Sequence, residues 1–360
     1  MRSLRLVVGQ APPADAMGAV LVRDVRIDGE RWAKGRRLSS DDLSAIARPD
    51  ASVDLGPRAP ADGTAGPAVL PVVALEPDDV HEDDAASALA AAVAGPGLRL
   101  RAPVESRIDL VASAAGVLHV AVARLARLDA IDPLEVFTLF DGQVVREGEV
   151  VASVKIGPHA VRRDVLERGM TAARSRNGVV RVAAFVPRRV AAVVHEAVRP
   201  LVRERFERSI ESRVASLGST LTGIEYAGGL PDVEAKLHRL TRGRGRVDVV
   251  LTAGAASTDP TDPFFVAIGS LGGRIVRHGV PAHPGSMVWL GRVGATDLLG
   301  LPSCGAYSKA TAADLLLPRL LTGERASVRM AASLGHGGIL AREMRFRFPA
   351  YARDLEAPTG

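Results

Sequence analysis

The chain reads as an α/β protein: a C-terminal domain with a mostly parallel sheet in three α/β/α layers, preceded by a smaller N-terminal α/β and β-rich region. Three observations predict this. Val247-Asp-Val-Val-Leu-Thr-Ala-Gly254 carries a continuous apolar run, which suits a strand covered on both faces. From residue 181 onward, apolar runs alternate with helix-like patterns, the signature of βα units. Pro200 opens a segment whose apolar positions Val202, Phe206, Ile210, Val214 and Leu217 fall on one helical face, with Glu and Arg on the other and Gly218 closing it.

At 360 residues the chain is long enough for two or three domains with their own cores. Aromatics are only 4%, so those cores must be built from Val, Leu, Ala and Ile. The single cysteine, Cys304, excludes an intrachain disulfide and a Cys-based zinc site. The N-terminus has too short an apolar run for a secretory signal, and no apolar stretch approaches the roughly 20 residues of a membrane helix. A soluble, cytoplasmic protein with no membrane partner is expected. The net charge of +5 is carried almost wholly by arginine, since lysine occurs only at Lys34, Lys155, Lys236 and Lys309. The densest basic run, Arg239 to Arg246, has no interleaved aromatics and lies between a helix pattern and a strand pattern. It reads as a solvated connection, so no nucleic-acid partner is expected. Homo-oligomerisation is left open.

Residues 1–97 form an N-terminal α/β region. Its extended start, AVLVRDVRI, is followed by a helix at Ser39 or Ser40, with Asp41 and Asp42 in the first turn. Residues 47–68 are rich in Pro, Gly, Asp and Ala without periodicity, and read as a long mobile loop. A strand over 69–75 and a helix over 82–95 follow. The acidic start His81-Glu82-Asp83-Asp84 resembles a metal cluster, but acids in a first turn also complement the helix dipole at about 0.3–1 kcal/mol each. The dipole reading is the one preferred. Residues 98–160 read as a β-rich module of short strands, 161–189 as a connector, 190–343 as the ligand-binding domain and 344–360 as a tail.

Within 190–343, three loops have ligand-binding composition and follow apolar strands, where α/β sheets bind ligands. The first is Gly254 to Asp262, where small residues let amides and the Ser257 hydroxyl approach a ligand. The second is His283-Pro284-Gly285-Ser286, and the third Gly300-Leu301-Pro302-Ser303-Cys304-Gly305, feeding a helix with Ser308 and Lys309. That helix start can hold an anion, with Lys309 supplying charge. Asp232 marks a further helix start. Asp232 and Asp262 each have two readings, a helix cap or a functional carboxylate. Cys304 is either a ligand contact or a small buried hydrophobe. His195 and Glu196 read as a satisfied pair at a strand edge, while His278 and His283 flank the Pro-Gly loop.

Taken in order, these motifs resemble the molybdopterin-binding domains of molybdenum cofactor biosynthesis across about residues 190–340. The family's Thr-Gly-Gly turn, Ser or Thr, and Asp correspond to Thr252, Gly254, Ala255, Ser257 and Asp262. Its upstream acidic helix start matches Pro231-Asp232, its Pro-Gly turn Pro284-Gly285, and its Gly-Leu-Pro turn Gly300-Leu301-Pro302. The segments KGRRLSSDDL, HEDDAA, VKIGPHAV and GHGGIL are similar to stand-alone bacterial proteins described as molybdopterin-binding. The resemblance implies that the pterin phosphate sits on the amides of Gly254 to Ser257. It also implies Gly300, Ser303 and Lys309 in the cofactor site, Asp232 and Asp262 as catalytic or Mg2+-binding carboxylates, and ATP or adenylylated molybdopterin as co-substrate. A molybdoenzyme client would be the partner. The implied activity is adenylyl or molybdenum transfer; the alternative is a non-catalytic carrier that hands the cofactor on.

This chain departs from the family at several points. Val193-Val194-His195-Glu196 replaces its first Thr-Gly-x-Glu turn, and Cys304-Gly305 stands where transferases have Asn-Pro. The Ser-Ala-Met-Asp-Gly segment and a cysteine cluster after GHGG are both absent. Pterin binding is therefore better supported than molybdate insertion.

Overall fold

A computed structural model describes residues 1–55, 67–104, 106–195, 200–254, 259–301 and 310–353, and gives two compact units of mixed α/β structure. The first comprises 1–113, 120–139 and 148–181; the second comprises 114–119, 140–147 and 182–360. No helix among the described residues is long and apolar enough to cross a membrane.

In the first unit, Arg2–Val7, Val69–Ala74 and Val20–Leu21 make one antiparallel sheet. Leu6, Trp32, Leu38, Ile46 and Leu70 share a core there. The helix Ser40–Ala47 opens with a capping box: Ser39 accepts from the Asp42 amide while Asp42 accepts from the Ser39 amide. Within the segment read as a loop over 47–68, Val53–Asp54 pairs with Arg26 and Ile27 as a short strand; 56–66 lie outside the described residues. A four-stranded antiparallel sheet, in the order Leu134–Thr138, Val150–Ile156, Arg107–Ala112, Leu98–Leu100, holds most strands of the β-rich segment, while Val144–Val145 and Gly116–Val120 belong to a separate three-stranded sheet with Val180–Ala184. That segment also holds a helix the strand pattern did not predict, Val122–Asp129, where Leu125 and Leu128 recur at helical spacing and Leu128 is buried.

Three of the segments similar to pterin-binding proteins meet in this unit. His81 caps the helix Glu82–Val93 by accepting from the Asp83 amide (3.2 Å), and its other nitrogen contacts the Gly35 carbonyl (3.0 Å). Glu82 bonds His159 Nδ1 at 2.9 Å, and Arg37 pairs with Asp84. Glu82 and Asp84 thus each meet a partner from outside the acidic run, and with Asp83 they form the first turn of the helix.

The second unit contains a six-stranded sheet. Its strands are β1 (Arg189–Val194), β2 (Thr220–Tyr226), β3 (Val249–Ala253), β4 (Arg274–Arg277), β5 (Trp289–Val293) and β6 (Thr296–Leu301), in spatial order β2-β1-β3-β6-β5-β4. β2, β1, β3 and β6 are mutually parallel, β5 pairs antiparallel with β6, and β4 pairs antiparallel with β5 and so runs the same way as the first four. Alternate residues of β1 enter different cores. Val190, Ala192 and Val194 join Phe206, Ile210 and Val214 of α1 (Pro200–Ala215) and Leu316 and Leu320 of α4 (Ala313–Leu321). Ala191 and Val193 join Val233 and Leu237 of α2 (Leu230–Thr241) and Phe264 and Ile268 of α3 (Pro263–Ser270). The i, i+4 stripe of α1 is fully buried from Phe206 onward, as its periodicity predicts. Residues 344–353, read from the sequence as tail, include the end of a 3-10 helix over Arg342–Arg347 and a helical turn at Ala350–Arg353. Phe348 and Ala352 from this stretch enter the first of those cores. Two apolar residues four apart are too few to register as a periodic pattern.

Candidate functional site

The four parallel strands end level with one another. Val194 faces Tyr226 and Ala253, and Ala253 faces Leu301. β5 begins at the same height, since Trp289 pairs with Gly300, and β4 ends beside it, since Arg277 pairs with Leu290. The ends of β1, β2, β3, β4 and β6 and the start of β5 therefore share one rim. Thr252, Gly254, Pro284, Gly285 and Gly300 lie on or next to it. Ala255, Ser257, Glu196, Pro302, Ser303, Cys304, Ser308 and Lys309 fall outside the described residues.

Thr252 is the penultimate residue of β3 and 1% exposed; its hydroxyl has no hydrogen-bond partner among the described residues. It faces Gly300, which in turn pairs with Trp289, whose indole NH is likewise buried and unpartnered. Gly300 has a structural reason of its own: a Cβ there would fall inside the Trp289 indole ring. Gly254 follows with φ 98°.

The Pro284-Gly285 turn is tied down by its backbone. Pro284 O accepts from Ala312 N at 3.0 Å, just before α4. Gly285 has φ 107°, and a Cβ there would lie 2.6 Å from Ala312 N and 3.0 Å from the Thr311 and Ala312 Cβ atoms. Only glycine provides both the torsion and the clearance.

Asp262 is 7% exposed and caps α3, its Oδ1 accepting from Phe264 N at 2.9 Å. Asp232 sits in the first turn of α2, accepts from Gly228 N (3.1 Å) and pairs with Lys236. The Lys236 ammonium, aided by that amide, holds its carboxyl below the usual range. Asp259 accepts from the Thr261 hydroxyl (2.7 Å) and amide (2.8 Å), which lower its pKa likewise. Asp262 thus performs the capping duty that its position suggests, whereas Asp232 makes no cap hydrogen bond to α2 and is held instead by Lys236 and the Gly228 amide. Among the described residues, no three His, Cys, Asp or Glu side chains converge as a metal site.

His195 bridges two strand ends, its amide donating to Ala253 O (2.9 Å) and its Nδ1 contacting Ala227 O (3.0 Å). That matches a satisfied edge residue. His278 stands edge-on to Phe265, which packs on Trp289. His283 reveals what sequence patterns missed. Its amide donates to Gly338 O (2.7 Å) and its carbonyl accepts from Leu340 N (2.8 Å), so GHGGIL lies alongside the Pro-Gly turn at the rim. Ile339, directly opposite His283, is 81% exposed. The motif itself was the available signal; its partner, more than 50 residues upstream, was not legible.

No protein-family model matches the chain, and no curated protein matches it. Among solved structures, the molybdopterin biosynthesis MoeA protein from Pyrococcus horikosii aligns over 69% of this chain and 81% of its own, at 14% identity and a TM-score of 0.29. A NadC deletion mutant aligns over 45% of this chain and 68% of its own, at 14% identity and a TM-score of 0.15. Likenesses this slight do not define a family, and the functional reading rests on the rim itself.

Proposed function

We propose that the second unit is a molybdopterin-binding domain of three-layer α/β/α type, and that the protein acts in molybdenum cofactor biosynthesis as a binding and handover protein. One observation carries this reading. Strand ends bearing Thr252, Gly254 and Gly300, and the turn bearing Pro284 and Gly285, lie at one sheet margin. The buried Thr252 hydroxyl, without a hydrogen-bond partner among the described residues, and the small residues that follow it in sequence support the approach of a polar ligand group such as a phosphate at this margin.

Binding is favoured over adenylyl or molybdenum transfer by the state of the two aspartates. Asp232 is neutralised by Lys236, and Asp262 is engaged as a helix cap. This reading gives both carboxylates structural work and routes no step through Mg2+ or ATP. Acid-iodine oxidation of protein purified from a molybdopterin-producing host should release about one fluorescent pterin per chain. Protein free of pterin as isolated, which also fails to quench added oxidised pterin, refutes the reading. Turnover of ATP or molybdate that is lost in Asp262→Ala would favour transfer instead.

A further inference from the structure

A buried ion pair joins α1 to the first turn of α4. Arg213 of α1 is 2% exposed and Asp314 of α4 is 1% exposed; Arg213 Nε donates to Asp314 Oδ1 at 2.9 Å. Arg213 also donates to the Ser209 carbonyl (3.2 Å) and hydroxyl, which fixes the guanidinium on its own helix. The second oxygen of Asp314 accepts from Thr311 N at 2.9 Å, and Thr311 Oγ1 accepts from Ala313 N at 3.3 Å. The next amide, Ala312 N, donates to Pro284 O, and Gly285 packs against that same peptide.

Thr311 and Ala312 therefore tie the start of α4 to the Pro284-Gly285 turn, which hangs from the Ala312 amide. A buried charge pair is a poor device for stability alone, because its desolvation offsets much of the attraction and packed apolar residues serve as well. It is a good device for fixing one geometry, since each partner must find the other. We infer that Arg213 is a positioning residue: through Asp314 it holds the first turn of α4, and with it the Pro284-Gly285 turn, in the arrangement that receives ligand. This rests on the pterin reading of the rim for the identity of the ligand, but not for the coupling of the loops.

The test replaces both charges together, Arg213→Met with Asp314→Asn, so that no unpaired charge is left buried and the Thr311 amide keeps its acceptor. This variant should stay folded with a melting temperature lowered by only a few degrees, because neither a buried charge nor the Thr311 amide is orphaned. Its affinity for a phosphorylated oxidised pterin should fall about tenfold or more. Arg213→Lys, which keeps a cation for Asp314, should recover most of the affinity. Hydrogen exchange at the Thr311 and Ala312 amides should quicken about tenfold in the double variant while Leu251 in β3 is unchanged. Unaltered exchange at those amides, or unaltered pterin affinity alongside quickened exchange, overturns the inference. Should the double variant not fold, the parent decides: Thr311 and Ala312 amides that exchange as fast as exposed loop amides contradict it. A parent that binds no pterin refutes the ligand reading, and the coupling is then judged by exchange alone.

Discussion

Gly285→Ala isolates the geometry on which the rim depends. At φ 107° an L-residue is strained, which costs about 1–2 kcal/mol. The added methyl would lie 2.6 Å from Ala312 N, a backbone atom that cannot rotate away, and overpacking of this kind costs about 1–3 kcal/mol. Together they predict a loss of about 3 kcal/mol. Gly294→Ala is the internal control. Its φ of 54° is also positive, yet nothing lies within 4 Å of its would-be Cβ, so the torsion alone is charged, at about 1 kcal/mol. The assay is urea unfolding in a Trp32→Phe background. That leaves Trp289 as the one indole of a chain with two tryptophans, and so the reporter of the second unit. A Gly285→Ala midpoint that coincides with that of Gly294→Ala would show that the turn does not press on α4, and the geometric account of the rim would fail.

Asp262→Ala should lower stability by about 1 kcal/mol through loss of the α3 cap, whereas Asp262→Ser, an equally good cap, should restore it in thermal unfolding. Equal losses in both would mean that the carboxylate does more than cap. Ile339→Ser should leave stability within about 0.5 kcal/mol, because the side chain is exposed. It should weaken pterin binding about fivefold in a fluorescence titration, from partial loss of buried apolar area; an unchanged Kd removes Ile339 from the site. His159 hydrogen-bonds Glu82, which raises its pKa above the ordinary 6.5 against the opposing effect of burial. A raised folded-state pKa contributes stability that is complete below the unfolded value and lost as pH climbs through the folded one. The first unit should therefore weaken on alkalinisation above pH 6.5, and His159→Gln should abolish that step in pH-dependent unfolding.

The sequence made local features legible and left long-range ones hidden. The stripe Phe206, Ile210, Val214 and the capped start at Ser39 are read from neighbours three or four apart, and both appear where expected. The apolar runs of β1, β3 and β6 were readable because both faces are buried. Strand direction was not: the runs of β4 and β5 look alike whether parallel or antiparallel, and in the structure β5 alone runs against the other five strands. In the rim, glycines and aspartates stood out by type, but their reasons are spatial. Gly300 is small because Trp289 stands over it, and Gly285 because α4 begins beside it. Arg213 and Asp314, 101 residues apart, gave no pattern at all.

Convergence of separate loops on one ligand is best tested by hydrogen exchange mapped with and without a phosphorylated oxidised pterin. Protection should rise together at 252–254, at 283–288 and in the chain following Leu301, with the first unit unaffected. Protection confined to one of these segments, or appearing only elsewhere, contradicts the account.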